Sequence, residues 1–199
     1  MSFWNDRYAQ PGFLFGTEPA RFLVDQKVYL KRGDKALAIA DGEGRNSVFM
    51  AEKGLQVTAT DSSDVAIDKA RGLAAARGAR VDYRLAELDN WDWEAETYDI
   101  AVAIFIQFAA PDFRARIFDG LKKTLKTGGI LLLHGYNPKQ ITFGTGGPGV
   151  VENLYTTDLL AQAFGDMEIL RLAAYDREVQ EGRGHSGLSG LIDLVARKM

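Results

Sequence analysis

An α/β fold with a mostly parallel sheet and helices on both faces is predicted by three features of the sequence. Short apolar runs alternate with amphipathic stretches from residue 36 to residue 136. The run YDIAVAIFI at 98–106 is continuously apolar, as expected of a strand buried on both faces. Near the C-terminus, MEILRLAAYDR and LSGLIDLVARK leave no room for a helix in the EVQEGRGHSG between them, so they are expected to pair antiparallel.

About thirty residues precede the first strand, and FLVDQKVYL at 22–30 reads as a helix within them. ALAIA at 36–40 is the first strand, and SVFMAEKG follows as a helix that Gly54 ends. QVTATD at 56–61 is the second strand. SSDVAIDKARGLAAARG is then a helix with Ser62 or Ser63 as its N-cap and Gly78 at its end. RVDYRLA at 80–86 alternates as a third strand should, and residues 98–106 form the fourth. Pro111 opens a helix whose Phe113, Ile117, Phe118, Leu121 and Leu125 fall at helical spacing. Gly128–Gly129 stop it before ILLLHGY at 130–136, the fifth strand. The order β-α-β-α-β followed by β-α-β implies a parallel sheet. GTGGPG at 144–149 cannot be regular structure, and TTDLLAQAF at 156–164 is a helix capped by Thr156 or Thr157.

The totals bound the function. A chain of 199 residues suits one domain with a single well-filled core. A formal charge of −3 gives no global field that points to nucleic acid. The absence of cysteine excludes disulfides, a thiolate zinc site and a cysteine nucleophile, and fits a cytoplasmic protein. MSFWNDRYAQPG lacks the pattern of a signal peptide, and the longest apolar run, at 100–110, is too short to span a bilayer. Nothing fixes an oligomeric state.

The join between the first strand and its helix, DGEGRN, carries Gly42 and Gly44. In open α/β sheets ligands bind beyond the carboxyl ends of the strands. Two glycines there let the backbone turn tightly and approach a ligand. The second strand ends in Asp61, whose carboxylate can accept hydrogen bonds from both hydroxyls of a ribose. Dinucleotide sites and S-adenosylmethionine (SAM) sites share this pairing. A dinucleotide fingerprint wants a third glycine where Ser47 stands, often starts with the first strand, and needs chain for a substrate domain. The SAM reading is favoured on these grounds and on the antiparallel tail.

Here the sequence resembles the class I SAM-dependent methyltransferases, and within them it is most similar to the small bacterial tellurite-resistance-type methyltransferases. FWNDRYAQPGFLFGTEPARFL resembles the N-terminal segment that closes over the cofactor. ALAIADGEGRNSVFMAEKG matches the glycine motif. GYNPKQITFGTGGPGVVENLY with GRGHSGLSGLIDLVARK matches the C-terminal half. The resemblance implies a Rossmann-like, seven-stranded, mostly parallel sheet with an antiparallel last strand between the fifth and sixth. It implies an N-terminal helical cover at 1–33, a cofactor-binding core at 34–136, and a lid loop with antiparallel strands at 137–199. The motif departs in one respect. The acid usually found two places before the first glycine is missing, since Ala38 and Ala40 stand there. Asp41 or Glu43 is expected to take over the contact with the SAM amino group. Glu87 stands for the usual aspartate near the adenine, with Leu88 packing on the ring. Asn46 and Ser62 complete the expected cofactor contacts on this edge.

Each residue also has a plainer reading. For Asp61 it is that of a turn or helix-capping residue, though the ribose role is preferred. Arg45 is either a ligand for the SAM carboxylate or a surface residue on a helix's first turn. Gln107 follows the fourth strand, where this fold presents residues to the methyl group; it is equally a polar residue satisfying backbone. Trp4, Tyr8 and Phe15 either cover the cofactor or pack the N-terminal helix. For Trp91 and Trp93 partly buried packing is preferred. His134 ends the fifth strand and His185 begins the last one. Because that strand is antiparallel, topology brings both histidines, with Tyr136, to one mouth, as candidate catalytic residues on the acceptor side. Residues 144–149 are expected to fold over the same edge as a lid or anion nest. Two histidines without a matched carboxylate do not make a metal site, and no G-x-S-x-G turn supports a nucleophilic triad.

The resulting expectation is transfer of a methyl group from SAM to a small-molecule acceptor by in-line displacement, without nucleic-acid or membrane partners. The rivals are a non-catalytic SAM-binding protein and, more distantly, a dinucleotide-dependent oxidoreductase.

Overall fold

The computed structural model describes residues 3–199. Its centre is one seven-stranded sheet built from β1 (Lys35–Ala38), β2 (Gln56–Asp61), β3 (Val81–Leu85), β4 (Tyr98–Ile104), β5 (Leu125–Tyr136), β6 (Met167–Glu181) and β7 (His185–Lys198). The order is β3-β2-β1-β4-β5-β7-β6. Strands β1 to β5 pair in parallel, and β7 lies antiparallel between β5 and β6. This is the expected architecture.

Strand alternation divides the interior into two layers. Leu37, Ala101, Leu131 and Leu133 face α5 (Pro111–Thr124) and α7 (Thr157–Ala163), which contribute Phe118, Leu121 and Leu160. Ala36, Ala38, Ile100 and Leu132 face the opposite way, toward α2 (Arg21–Asp25) and α3 (Arg45–Glu52), with Phe22, Leu23 and Met50. Helix α4 (Asp64–Ala76) starts at Ser63, whose hydroxyl accepts from the Ala66 amide, and α7 starts at Thr156, which accepts from Leu159. Both follow N-cap preference.

Three boundaries differ from the sequence reading. The segment 22–30 is not one helix; α2 ends at Asp25 and a 3₁₀ turn follows at Lys27–Tyr29. Strand β5 begins at Leu125, so Leu125 leaves the helix, and Gly128–Gly129 lie inside an irregular stretch of the β4–β5 ladder rather than between elements. An ion pair from Lys126 to Asp99 at 2.7 Å ties that stretch to the neighbouring strand. The terminal hairpin is also longer than its apolar cores suggested. Its ladder runs through EVQE to the pair Glu181↔His185, leaving 182–184 as the turn. Backbone hydrogen bonding carries polar residues into an edge strand whose outer face is solvated.

Candidate cofactor and acceptor site

The carboxyl ends of β1, β2 and β4 open onto one cavity of about 610 Å³. Gly42, in the turn after β1, has φ 62°, a left-handed conformation that glycine adopts without cost. A Cβ there would lie 2.8 Å from the Tyr8 hydroxyl, so the turn sits directly beneath α1 (Phe3–Tyr8). Asp61 fixes this turn. Its Oδ2 accepts from the Gly42 amide at 2.8 Å and its Oδ1 from the Ser63 amide at 2.9 Å. One buried carboxylate therefore joins the glycine turn to the start of α4. Burial raises its pKa against the pull of these backbone donors.

The two loop acids part company. Asp41 lines the cavity; its Oδ1 takes the Ser47 amide at 3.3 Å, and its Oδ2 is buried without a partner. Burial pushes its pKa up to about 7. Glu43 does not line the cavity. Its Oε2 accepts from the Leu14 amide at 2.7 Å, and its Oε1 pairs with Lys69 at 3.0 Å. Lys69 in turn donates to the Gln10 and Gly12 carbonyls. Glu43 thus pins the N-terminal segment, which corrects its expected contact with the cofactor. Gly44 is corrected likewise. It caps α3, and a Cβ there would lie 2.7 Å from Ala70 Cβ, so it permits the packing of α3 on α4.

Asn46, Ser62, Glu87 and Leu88 all border the cavity. Asn46 also accepts from the Ala20 amide at 2.9 Å, a second tie to the N-terminal segment. Trp4, Tyr8 and Phe15 border it too, with Trp4 stacked on Tyr8 at 5.6 Å between ring centroids. Gln107 reaches the cavity, but both ends of its amide are occupied. It donates to the Tyr136 carbonyl and accepts from the Tyr136 amide, each at 2.7 Å. A Cβ on Gly135 would lie 2.6 Å from its Oε1, so the clamp also requires that glycine. The plainer, backbone-satisfying reading of Gln107 holds for its polar atoms. Trp93 packs against Gly120 of α5, and Trp91 against the same core layer.

On the acceptor side, His185, Tyr136 and residues 146–149 line the same cavity. Gly147, at φ 79°, lies against the Tyr136 ring, where a Cβ would approach to 2.7 Å. The His185 ring lies between Phe15 and Phe105, with centroids at 4.4 and 4.1 Å. Its Nδ1 is buried without a partner, as is the Tyr136 hydroxyl. Burial, then the nearby charge of Arg45, holds the His185 pKa well below its ordinary value, so the ring is neutral. Burial also raises the Tyr136 phenol.

His134 is elsewhere. It stacks on Phe22 at 4.8 Å, and its Nδ1 lies 2.8 Å from Asp193 Oδ1, its register partner on β7. Asp193 also accepts from Arg171 Nε at 2.9 Å and the Tyr175 hydroxyl at 3.0 Å. His134 does not line that cavity and borders a separate one of about 110 Å³ under α2. The shared mouth is corrected for this histidine, because the aromatic rings of Phe22 and Phe105 enclose it.

Several cavity residues, among them Phe3, Arg7 and Phe108, lay outside the expected set. Ala40 and Phe105 follow β1 and β4 and have φ of 47° and 56°, unusual for residues with a Cβ. Nothing in residue type signals this. Arg45 is 6% exposed and lines the cavity rather than the surface. Its Nη2 is 2.7 Å from Glu181 Oε2, close as an ion pair although off hydrogen-bond geometry, and its Nη1 is buried without a partner.

The residues present fit SAM. An unpartnered carboxylate oxygen at Asp41 suits its ammonium, Asp61 suits its ribose, and the glycine turn leaves room between them.

Residues 36–129 match the family described as a methyltransferase domain. The carboxy-S-adenosyl-L-methionine synthase of Campylobacter lari is 33% identical over 88 residues, 44% of this chain and 37% of that protein. The chain spans about 40% of the length of the curated relatives it matches. A SAM-dependent methyltransferase from Methanosarcina mazei superposes with a TM-score of 0.71 at 20% identity, over 92% of this chain and 99% of that one. TehB from Haemophilus influenzae gives 0.74 at 18% identity, over 99% and 66%. The chain carries the fold of the class I SAM-dependent methyltransferases, and its residues 36–129 match a methyltransferase domain.

Proposed function

We propose that the protein methylates a small-molecule acceptor with SAM, as one domain whose N-terminal segment covers the cofactor. The narrower kinship with tellurite-resistance-type enzymes, a cytoplasmic location and the absence of nucleic-acid partners belong to the same reading. No helix among the described residues is long and apolar enough to cross a membrane.

One observation carries the reading. The cavity that holds the glycine turn and Asp61 also holds an unpartnered Asp41 oxygen, and the same cavity reaches Tyr136 and His185. The groups read here as cofactor-binding and acceptor-side therefore border one cavity. SAM supplies a methyl group already activated on its sulfonium. The chain needs to orient an acceptor and exclude water. Asp61 and the turn hold the ribose end, Asp41 holds the ammonium, and Trp4, Tyr8 and Phe15 cover the site. Neutral His185 offers a nitrogen that can take a proton from a hydroxyl acceptor. A thiolate acceptor needs no such step.

Titration with SAM, S-adenosylhomocysteine and NAD, followed by an acceptor screen read as S-adenosylhomocysteine formed, tests the reading. Binding of SAM with turnover of at least one small acceptor is expected. SAM binding with no turnover across the screen favours a sensor or partner subunit, and tight NAD binding with no SAM binding favours an oxidoreductase.

A further inference from the structure

Besides Asp41 Oδ2, three buried polar atoms without partners belong to residues lining the same cavity. They are Arg45 Nη1, the Tyr136 hydroxyl oxygen and His185 Nδ1. The residues are 6%, 1% and 7% exposed. They are also neighbours. The Tyr136 and His185 rings meet edge to face at 5.7 Å, and the charge of Arg45 acts on both side chains. A buried guanidinium N–H, a phenol O–H and an imidazole nitrogen left unpaired are costly, and charged donors most of all. Such a set is matched by a ligand that brings a negative oxygen.

We infer that the methyl acceptor is an organic monoanion of the carboxylate class, its negative oxygen held by Arg45 and Tyr136 beside His185, its apolar body against the aromatic rim. This rests on the methyl-transfer reading above. The charge follows from Glu181, which lies 2.7 Å from the other terminal nitrogen of Arg45 and also accepts from the Arg21 amide at 2.9 Å. Half of the guanidinium is already committed and Nη1 is left without a partner, and a guanidinium already offset by one carboxylate suits a single added negative charge better than two. The body follows from Phe3, Phe108 and Phe113, which line the cavity, Phe3 and Phe108 with large exposed faces. A bare inorganic oxyanion would leave that apolar lining unmatched.

A carboxylate also occurs on SAM itself, and the experiment must separate the two sources. The parent protein is saturated with S-adenosylhomocysteine and titrated by calorimetry with benzoate and with benzamide, equal in shape but not in charge. Benzoate is expected to bind at least about tenfold more tightly than benzamide. Tyr136→Phe and Arg45→Gln are each expected to weaken benzoate by about tenfold, with S-adenosylhomocysteine affinity within about twofold of the parent. Arg45→Lys, which keeps the charge opposite Glu181, serves if Arg45→Gln does not fold. Equal binding of benzoate and benzamide overturns the inference. So does an Arg45 variant that loses S-adenosylhomocysteine affinity and keeps benzoate, since the guanidinium then serves the cofactor's carboxylate. Failure of the parent to bind S-adenosylhomocysteine at all is a different result and sinks the methyltransferase reading instead.

Discussion

His134 and His185 stand on neighbouring strands of one sheet, and their surroundings are opposite in kind. His134 is sealed by Phe22 and Phe105 and bonded to a carboxylate that also takes an arginine and a tyrosine. His185 is equally buried, yet its Nδ1 has no partner and its ring borders the cavity. The glycine loop repeats the contrast. Glu43 has both oxygens occupied by the chain, whereas Asp41 keeps one free. A buried polar group with a full set of partners spends its bonding on the fold. One left unpaired is available to a ligand, and the fold bears its cost.

The first way to break this contrast is to attack the satisfied network. Asp193→Ala leaves His134, Arg171 and Tyr175 without their shared acceptor. Unfolding in urea should show a loss of about 3–5 kcal/mol, the usual cost of breaking a buried ionic network from one side. SAM affinity of the folded variant should barely change. A loss near zero, or a large loss of SAM affinity, would show that the network is not structural. The network also has an acid limit. Burial raises the Asp193 pKa, but His134, Arg171 and Tyr175 outweigh it and hold it below the ordinary carboxylate value. Its contribution is therefore complete above the unfolded pKa of about 3.9 and fades as pH falls through the lower folded value.

Asp61→Ala comes next. It removes the ribose acceptor and frees the Gly42 and Ser63 amides together. SAM binding should weaken by roughly 1.5–3 kcal/mol, with some loss of stability from the released turn. Calorimetry that shows parent affinity takes Asp61 out of the site.

The loop acids sharpen the contrast further. Asp41→Asn should weaken SAM, while Glu43→Gln should chiefly loosen residues 9–16, seen as faster proteolysis there. Asp41 has a pKa raised to about 7. If its carboxylate receives the ammonium, SAM affinity should decline as pH falls below about 7. Binding near pH 7 should also release protons, detectable as a heat that varies with buffer ionisation enthalpy. A pH-independent affinity in the parent, matched by Asp41→Asn, would assign the ammonium to other groups.

Much of this was legible in the residues, and the remainder has physical causes. The parallel sheet followed from the alternation of strand and helix patterns and the antiparallel terminal pair from the missing helix before LSGLIDLVARK, while the place of the last strand between the fifth and sixth came from the family resemblance. That Asp61 reaches the cavity was legible from its place at the end of a strand, while its hold on the Gly42 and Ser63 amides is what the plainer reading as a turn aspartate expected. Glu43 and Asp41 could not be separated, because the backbone turns through φ of 62° and 92° at Gly42 and Gly44 and residue type does not say which side chain such a turn faces inward. His134 was misplaced because strand order predicts the edge a residue reaches and not which rings close over it. Its partner Asp193 lies 59 residues away, inside a run that reads as an ordinary strand. Arg45 stayed open between a ligand for the SAM carboxylate and a first-turn surface residue. Its burial depends on Glu181, at the far end of a strand that extends beyond its apolar core.

The smallest expected effect concerns His185 itself. Burial, Arg45, His134 and Arg7 all oppose a proton on this ring, so its folded pKa lies well below 6.5. In the unfolded chain the same imidazole titrates near its ordinary value of about 6.5. The unfolded state therefore binds more protons as pH falls below that point, and folding loses up to about 1.4 kcal/mol per pH unit until the folded pKa is reached. His185→Gln removes this linkage. Between pH 7 and pH 5 the parent should lose stability faster than the variant, whatever their stabilities at neutral pH. The same neutrality governs activity. Over pH 6–8 the parent rate with a non-titrating acceptor should carry no step from His185, and its imidazole resonances should not move with pH. A ring that protonates with a midpoint near 6.5 in the folded protein would mean that Nδ1 reaches water or an anion, and the distinction between the two histidines would then rest on position alone.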